Sequence, residues 1–321
     1  MAYTIVDDYP EDPRTLIGYV EFYITNVCNL NCHNCNRFNN YHFRGHQLWQ
    51  DHAAVYAEWA KHVRFQKVTI LGGEPLLNPS LLDWVKGINQ LWNKAVQIQT
   101  NGTRINKVPG LYEVLLQSGI DPRLPWVRNW IGISMHNEAD RDRLYEEIHK
   151  FLQPPIRMVK KHDAENHNNS VTMGAAQAFI DKNNVRIPVW DYDSFYTSAI
   201  TFNESGRHTL HNSDVKLAHD NCGFVRYKCY HFIGGALYKC GPVALFPEFD
   251  KQFNLDISDQ DRELLNSYRP LEVSQFADRG QQFLATIDDP IPQCKFCPSN
   301  YSANTTIRAV SKKPNSTSGF Q

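Results

Sequence analysis

Three cysteines fall within eight residues, Cys28-Asn29-Leu30-Asn31-Cys32-His33-Asn34-Cys35, directly after a run rich in β-branched and aromatic residues, Tyr19 to Thr25 (YVEFYIT). Such a run reads as a strand. Three thiolates this close together can wrap one iron–sulfur cubane and leave its fourth iron without a protein ligand. A structural zinc site takes four protein ligands, so the loop alone makes a poor zinc site. An open iron is what a chelating small molecule needs.

The segments that follow alternate between strand and helix patterns. Lys67 to Leu71, Ala95 to Gln99 and Trp130 to Ser134 read as buried strands. Between and after them, Asp51 to Val63 (with Asp51 as N-cap), Asn78 to Trp92 (Pro79 near its first turn), Leu111 to Gln117 and Ala139 to Phe151 read as helices. Repeated strand–helix units predict an α/β fold with a parallel sheet, open or rolled into a full or partial barrel. Val171 to Phe179 and Ser198 to Phe202 are further candidate strands. Beyond about residue 205–220 the texture changes. Cys222 to Pro242 is aromatic and cysteine-rich, and Gly234-Gly235 between two short strand-like runs signals a β-hairpin. Leu255 to Asn266 reads as an acidic helix, and Ser311 to Gln321 as a loose polar tail.

The C-x3-C-x2-C loop at the end of a first strand resembles the signature of the radical S-adenosylmethionine (SAM) superfamily. Gly72-Gly73-Glu74-Pro75 after the second strand is similar to the GGEP motif that binds the SAM amino group there, and Gln99-Thr100-Asn101-Gly102 to the TNG element. Ser134 ends the fourth strand where that superfamily places a polar group near SAM. Arg143 or Arg141 matches its arginine for the SAM carboxylate. One departure is Asn34, where an aromatic residue usually precedes the third cysteine. The resemblance implies a partial parallel (β/α)6-type barrel over residues 18–210, after a short extension at 1–17. It also implies a [4Fe–4S] cluster on Cys28, Cys32 and Cys35, with SAM bound by Gly72, Gly73, Glu74, Asn101, Ser134 and Arg143.

Five more cysteines, Cys222, Cys229, Cys240, Cys294 and Cys297, lie in the last third. Gly235 to Cys240 (GALYKC) resembles the hairpin of SPASM and twitch modules, which implies an auxiliary [4Fe–4S] cluster in a module over 211–305 that contains a β-hairpin, followed by a tail at 306–321. Five thiols suit one cluster, with Cys240, Cys294 and Cys297 as ligands and either Cys222 or Cys229 as the fourth. The fifth is a packing residue or a free thiol that returns a hydrogen atom to substrate, so Cys222 and Cys229 are also the catalytic candidates. A zinc ribbon built from two cysteine pairs would look much the same. Among thirteen histidines, His33, His42, His46 and His231 lie near these motifs and are the ones to test.

Lys plus Arg is 33 against 34 for Asp plus Glu, so no net positive field recruits nucleic acid. No run of 18 apolar residues spans a membrane and Met1 to Pro10 has no apolar stretch, which together read as a cytoplasmic protein. Eight cysteines in a reducing compartment point to metal or catalysis rather than disulfides. The resemblance implies an enzyme that reductively cleaves SAM to a 5′-deoxyadenosyl radical, with an electron donor such as flavodoxin or ferredoxin as partner. Only 27 residues precede Cys28, too few for a peptide-recognition domain, which favours a small substrate such as a sugar, aminocyclitol or nucleotide. That substrate would be oxidised or epimerised. Modification of a peptide side chain and a non-catalytic zinc- or cluster-binding module are the competing readings.

Overall fold

The computed structural model describes residues 7, 9–32, 35–41, 44–136, 138–160, 177–191, 195–196, 199–300, 303–304 and 310–312. Its strands are β1 (Thr15–Tyr23), β2 (Val63–Leu71), β3 (Gln97–Thr100), β4 (Trp130–Met135), β5 (Arg157–Lys160), β6 (Gln177–Ile180), β7 (Arg186–Asp191), β8 (Cys229–Ile233), β9 (Ala236–Tyr238) and β10 (Leu271–Glu272). They form one ten-stranded sheet in the order β10-β9-β8-β1-β2-β3-β4-β7-β6-β5. The six central strands from β8 to β7 are mutually parallel. Antiparallel pairs finish both sides, β7-β6-β5 on one and β8-β9-β10 on the other. The sheet is open: its end strands β10 and β5 do not pair with each other. This is the mixed α/β, mostly parallel arrangement of a partial barrel. The call at Val171–Phe179 falls partly on residues 171–176, outside the described set, and β6 begins at Gln177.

Helices α1 (Trp49–His62), α2 (Leu81–Trp92), α3 (Leu111–Leu116) and α4 (Arg141–Phe151) connect the strands. Strand periodicity sorts the side chains by face. Val20, Phe22, Val68, Ile70, Ile98, Ile131, Ile133 and Phe232 belong to the main apolar core with Tyr56, Trp59, Trp84 and Ile88 of α1 and α2. Phe22 meets Tyr56 at 5.2 Å and Phe232 at 5.1 Å between ring centres, which ties the first strand to both the helix layer and β8.

Several boundaries differ from the sequence reading. Asp51 is not the N-cap of α1: the helix starts at Trp49 after Leu48, and Asp51 sits in its first turn. There its carboxylate faces the positive end of the helix. The hairpin built on Gly234 and Gly235 forms, with positive φ at both glycines (60° and 84°). It is no appendage, because β8 hydrogen-bonds to β1 in parallel, Tyr19 opposite Cys229 and Glu21 opposite His231. Three strands from the last third, β8, β9 and β10, therefore extend the main sheet. The tail is not uniformly loose either: Val310–Lys312 pair antiparallel with Leu30–Cys32, inside the first cysteine loop.

A second core lies beside the cysteine loop. Phe38, three residues past Cys35, is fully buried; it stacks on Phe246 at 5.6 Å and meets Phe249 edge-on at 5.4 Å, both from α5 (Gly241–Phe253). Phe38 adopts φ 59°, a left-handed conformation unfavourable for a bulky residue, and packing on α5 holds it there.

Candidate active site and metal centres

The first cysteine loop is pinned from three sides. Asn39 donates to the Tyr23 hydroxyl (3.1 Å) and to the Asn26 carbonyl (2.8 Å), closing the loop back on the strand that launched it. Beneath it runs the Gly72-Gly73-Glu74 turn, whose Gly73 and Glu74 amides donate to the carbonyls of Thr25 (2.7 Å) and Val27 (2.8 Å). A Cβ on Gly72 would stand 2.5 Å from the Thr25 carbonyl oxygen, and one on Gly73 would collide with the Val27 carbonyl. Close backbone approach is thus what these glycines provide. The donor set suits a cubane: Cys28 Sγ accepts from the Leu30 amide at 3.4 Å, the kind of contact that stabilises an iron-bound thiolate. His33, Asn34 and His42 lie outside the described residues.

Glu74 ties two turns together. Its carboxylate is fully buried and accepts from the Leu76 amide (3.0 Å), the Thr100 hydroxyl (2.6 Å) and the Asn101 amide (2.8 Å). Burial pushes its carboxyl up and these three donors pull against it. Glu74 therefore clamps the GGEP turn to the TNG turn. Asn101 carries the clamp onward, donating to Asn29 Oδ1 (3.0 Å), while Asn29 donates to Thr103 (2.7 Å). Strand ends and cysteine loop form one hydrogen-bonded unit.

Next to that unit is a cavity of about 250 Å³ lined by Leu30, Asn101, Ser134, His136, Arg143 and Glu147, among others. Three of the sequence-predicted cofactor residues, Asn101, Ser134 and Arg143, thus meet in one cavity that abuts the loop through Leu30. Of the two candidate arginines, Arg143 lines it and Arg141 does not. Arg143 pairs with Asp140 at 2.5 Å. Ser134 Oγ accepts from Gln99 at 2.6 Å. Gly72, Gly73 and Glu74 stand behind the loop rather than on the cavity wall.

Four of the five later cysteines line a second cavity: Cys222, Cys240, Cys294 and Cys297, with Phe224, Lys239 and Asp288. Cys240 is the residue before α5, and Cys294 opens a tight turn in which the Cys297 amide donates to the Cys294 carbonyl at 3.1 Å. Burial pushes the Cys240 thiol up to about 12, with the neighbouring Cys222 adding to the effect. Burial raises the Cys294 thiol as well, and a metal that binds such thiols must displace their protons. Four cysteines line one small cavity, and thiolate sulfur is a donor that both iron–sulfur and zinc centres use.

Cys229 is elsewhere. It opens β8 on the other side of the hairpin, 4% exposed, in a cluster with Glu21 and His231 whose ligating atoms lie within 4.8 Å of one another. That trio looks like a metal site, but Arg37 is already bonded to it. Its Nη2 donates to Glu21 and lies 2.7 Å from His231 Nε2. A cation would face the guanidinium. Burial opposes charge on Glu21, yet Arg37 and His231 hold its carboxyl down to about 2. Burial and then Arg37 push His231 down to about 4, so the ring is neutral at pH 7. Burial and the Glu21 carboxylate push the Cys229 thiol up. His46 is bound up locally with the Thr25 hydroxyl at 2.8 Å.

Sequence reasoning overlooked the inner face of the sheet. Parallel strands buried on both sides are normally apolar throughout. Here the face opposite α1 and α2 carries Tyr19, Glu21, Lys67, Thr69, Gln97, Gln99, Ser134, Cys229 and His231. Register aligns His231, Glu21, Thr69 and Gln97 as a row across four strands. Thr69 donates to Gln97 (3.3 Å), and Lys67 Nζ sits 4.4 Å above the Tyr19 ring. The signal was present as polar residues at alternate positions, KVTIL and QIQ. Hydrophobicity averaged over a strand hides it.

Three comparisons place these features. Residues 22–157 match the family model described as the Radical SAM superfamily. A probable GTP 3′,8-cyclase of Methanocaldococcus jannaschii is 27% identical over 140 residues, 43% of each chain. One from Methanothermobacter thermautotrophicus is 31% identical over 98 residues, 30% of this chain and 31% of that one. The matches thus span less than half the length of these relatives. Among solved structures, Streptococcus suis SuiB bound to S-adenosylmethionine is similar with a TM-score of 0.33 and 17% identity, covering 44% of this chain and 33% of that one.

Proposed function

Starting from the radical SAM domain that residues 22–157 form, we propose that this protein holds a [4Fe–4S] cluster on Cys28, Cys32 and Cys35 and binds SAM in the adjoining cavity. Bound there, the reduced cluster and SAM supply a radical able to remove a hydrogen atom from an unactivated carbon. The chain's own residues do the rest. Asn101, Ser134 and Arg143 line the cofactor cavity, with Arg143 as the carboxylate partner, and Glu74 holds Asn101 in place from behind.

The observation that carries the substrate reading is the polar inner face. Thr69, Gln97, Gln99 and Ser134 offer hydroxyls and amides able both to donate and to accept, which suits a small, hydroxyl- or base-bearing molecule. A sugar, aminocyclitol or nucleotide fits, and the similar archaeal proteins are named for a nucleotide, GTP. The reaction is an oxidation or an epimerisation, with Cys222, Cys240, Cys294 and Cys297 holding an auxiliary cluster. A SAM-cleavage assay on reduced, iron-loaded protein tests this. Deuterium from a labelled substrate should appear in 5′-deoxyadenosine. No SAM cleavage under any substrate would remove the proposal, and transfer only from peptides would replace its substrate.

A further inference from the structure

The cavity lined by Cys222, Cys240, Cys294 and Cys297 carries a buried lysine on its wall. Lys239 is 5% exposed and lines that cavity directly before Cys240. Its ammonium donates to the Ile287 carbonyl, a neutral acceptor, and among the described residues no carboxylate pairs with it. The other charged side chain on the cavity wall, Asp288, is already engaged. It binds Lys228 Nζ at 2.9 Å and accepts from the Tyr230 hydroxyl at 2.5 Å. Aromatic and aliphatic neighbours, Phe224, Val225, Pro242, Val243 and Phe246, line the remainder and keep the surroundings poorly polarisable.

A buried, unpaired ammonium is costly, and proteins ordinarily remove such a group or supply a counter-charge. Four thiolates around one metal centre are that counter-charge: the assembly is net negative and becomes more negative when an electron enters an iron–sulfur core. We propose that Lys239 is the charge partner of the auxiliary centre and raises its reduction potential, because a nearby fixed cation favours the reduced, more negative state. This rests on the auxiliary-cluster reading above. It gives Lys239 a positioning and tuning role and makes no claim that it touches substrate. The centre then becomes a better acceptor for an electron leaving an oxidised substrate.

The test is an EPR-monitored redox titration of the full-length, iron-loaded protein, with the first cluster identified by the change in its signal when SAM is added. Lys239→Met should shift the auxiliary couple at least tenfold toward the oxidised form, ~59 mV for one electron. Iron content and the first cluster's potential should be unchanged. Lys239→Arg keeps the charge and should recover most of the shift. Full iron with an unmoved potential in Lys239→Met overturns the proposal. Iron lost from Lys239→Met but kept, at wild-type potential, in Lys239→Arg supports it. Iron lost from both shows a packing role and overturns it. Wild-type protein that holds zinc, or only four irons, instead removes the underlying cluster reading and is seen before any variant is made.

Discussion

Arg37 fills the space that a Cβ on Gly241 would need. Arg37 lies two residues past Cys35 and Gly241 one residue past Cys240, so a single contact joins the two cysteine sites. The guanidinium is 7% exposed, bonds to Glu21, and lies 5.0 Å from the Phe224 ring centre. Gly241→Ala should push Arg37 off Glu21 and cost about 1–3 kcal/mol, the usual effect of overpacking. Urea unfolding of the metal-free protein reads this, and an unchanged midpoint would show that Arg37 moves aside freely.

Removing Glu74 should have two effects. Glu74→Ala strands three buried donors, each worth about 1–3 kcal/mol when left unpaired, and should lower stability visibly in a thermal melt. It should also weaken SAM binding by at least tenfold, because Asn101 loses its anchor. Arg143→Ala, at a partly exposed position, should weaken SAM binding with the melt unchanged. Calorimetric titration with SAM separates the two behaviours. Equal loss of stability in both variants would show that Glu74 is no special clamp.

Metal counting distinguishes the five later cysteines. Alanine at Cys222, Cys240, Cys294 or Cys297 should drop iron from about eight to about four per chain, the share of one cubane. Cys229→Ala should retain all of it. Loss of iron from Cys229→Ala would contradict the placement of that thiol outside the four-cysteine cavity.

His231 gives the stability a pH dependence whose sign follows from its burial. Its pKa falls from 6.5 to about 4 on folding. Between those values the unfolded chain binds a proton that the folded chain refuses, so stability rises with pH across that window. Glu21, Arg37, Phe224 and Cys229 are groups close to the ring. Compared with His231→Gln, the wild type should lose about 1.5 kcal/mol more between pH 6.5 and pH 5, over and above any constant difference. Denaturant curves of both proteins at the two pH values check this, and parallel behaviour would show that His231 titrates normally in the fold.

Much of the parallel sheet was legible because its strands are dense in β-branched residues and its helices repeat at helical spacing. The cysteine loop was legible from the spacing of its three thiols, and the glycine turn from its resemblance to the GGEP motif. What could not be read was partnership. Nothing in Cys222 or Cys229 says which one joins Cys240, because that depends on whether β8 pairs with β1 or stands apart. Sheet pairing sends the Cys229 side chain to Glu21 and leaves Cys222 at the cavity. The setting of Glu74 was hidden for a similar reason: the motif shows a carboxylate near a ligand loop, while two of its three donors, the Thr100 hydroxyl and the Asn101 amide, come from a turn 26 and 27 residues further on. Asp51 lost its capping role to the two residues before it, Trp49 and Gln50, which already belong to the helix.

The pairing of Tyr19 with Cys229 also governs when this protein can finish folding. One edge of β1 finds β2 within some fifty residues, but its other edge waits for a strand roughly two hundred residues later, a contact of very high sequence separation. At synthesis speeds of about 5–20 residues per second, that edge stays bare on the ribosome for on the order of 10–40 s. During that interval Arg37 has neither His231 nor Gly241 to pack against, and Phe38 has no α5. The first cysteine loop acquires its final packing only once the strand at Cys229–Ile233 and the helix at Gly241–Phe253 have emerged, so a cluster would find this loop in its settled shape only late in synthesis.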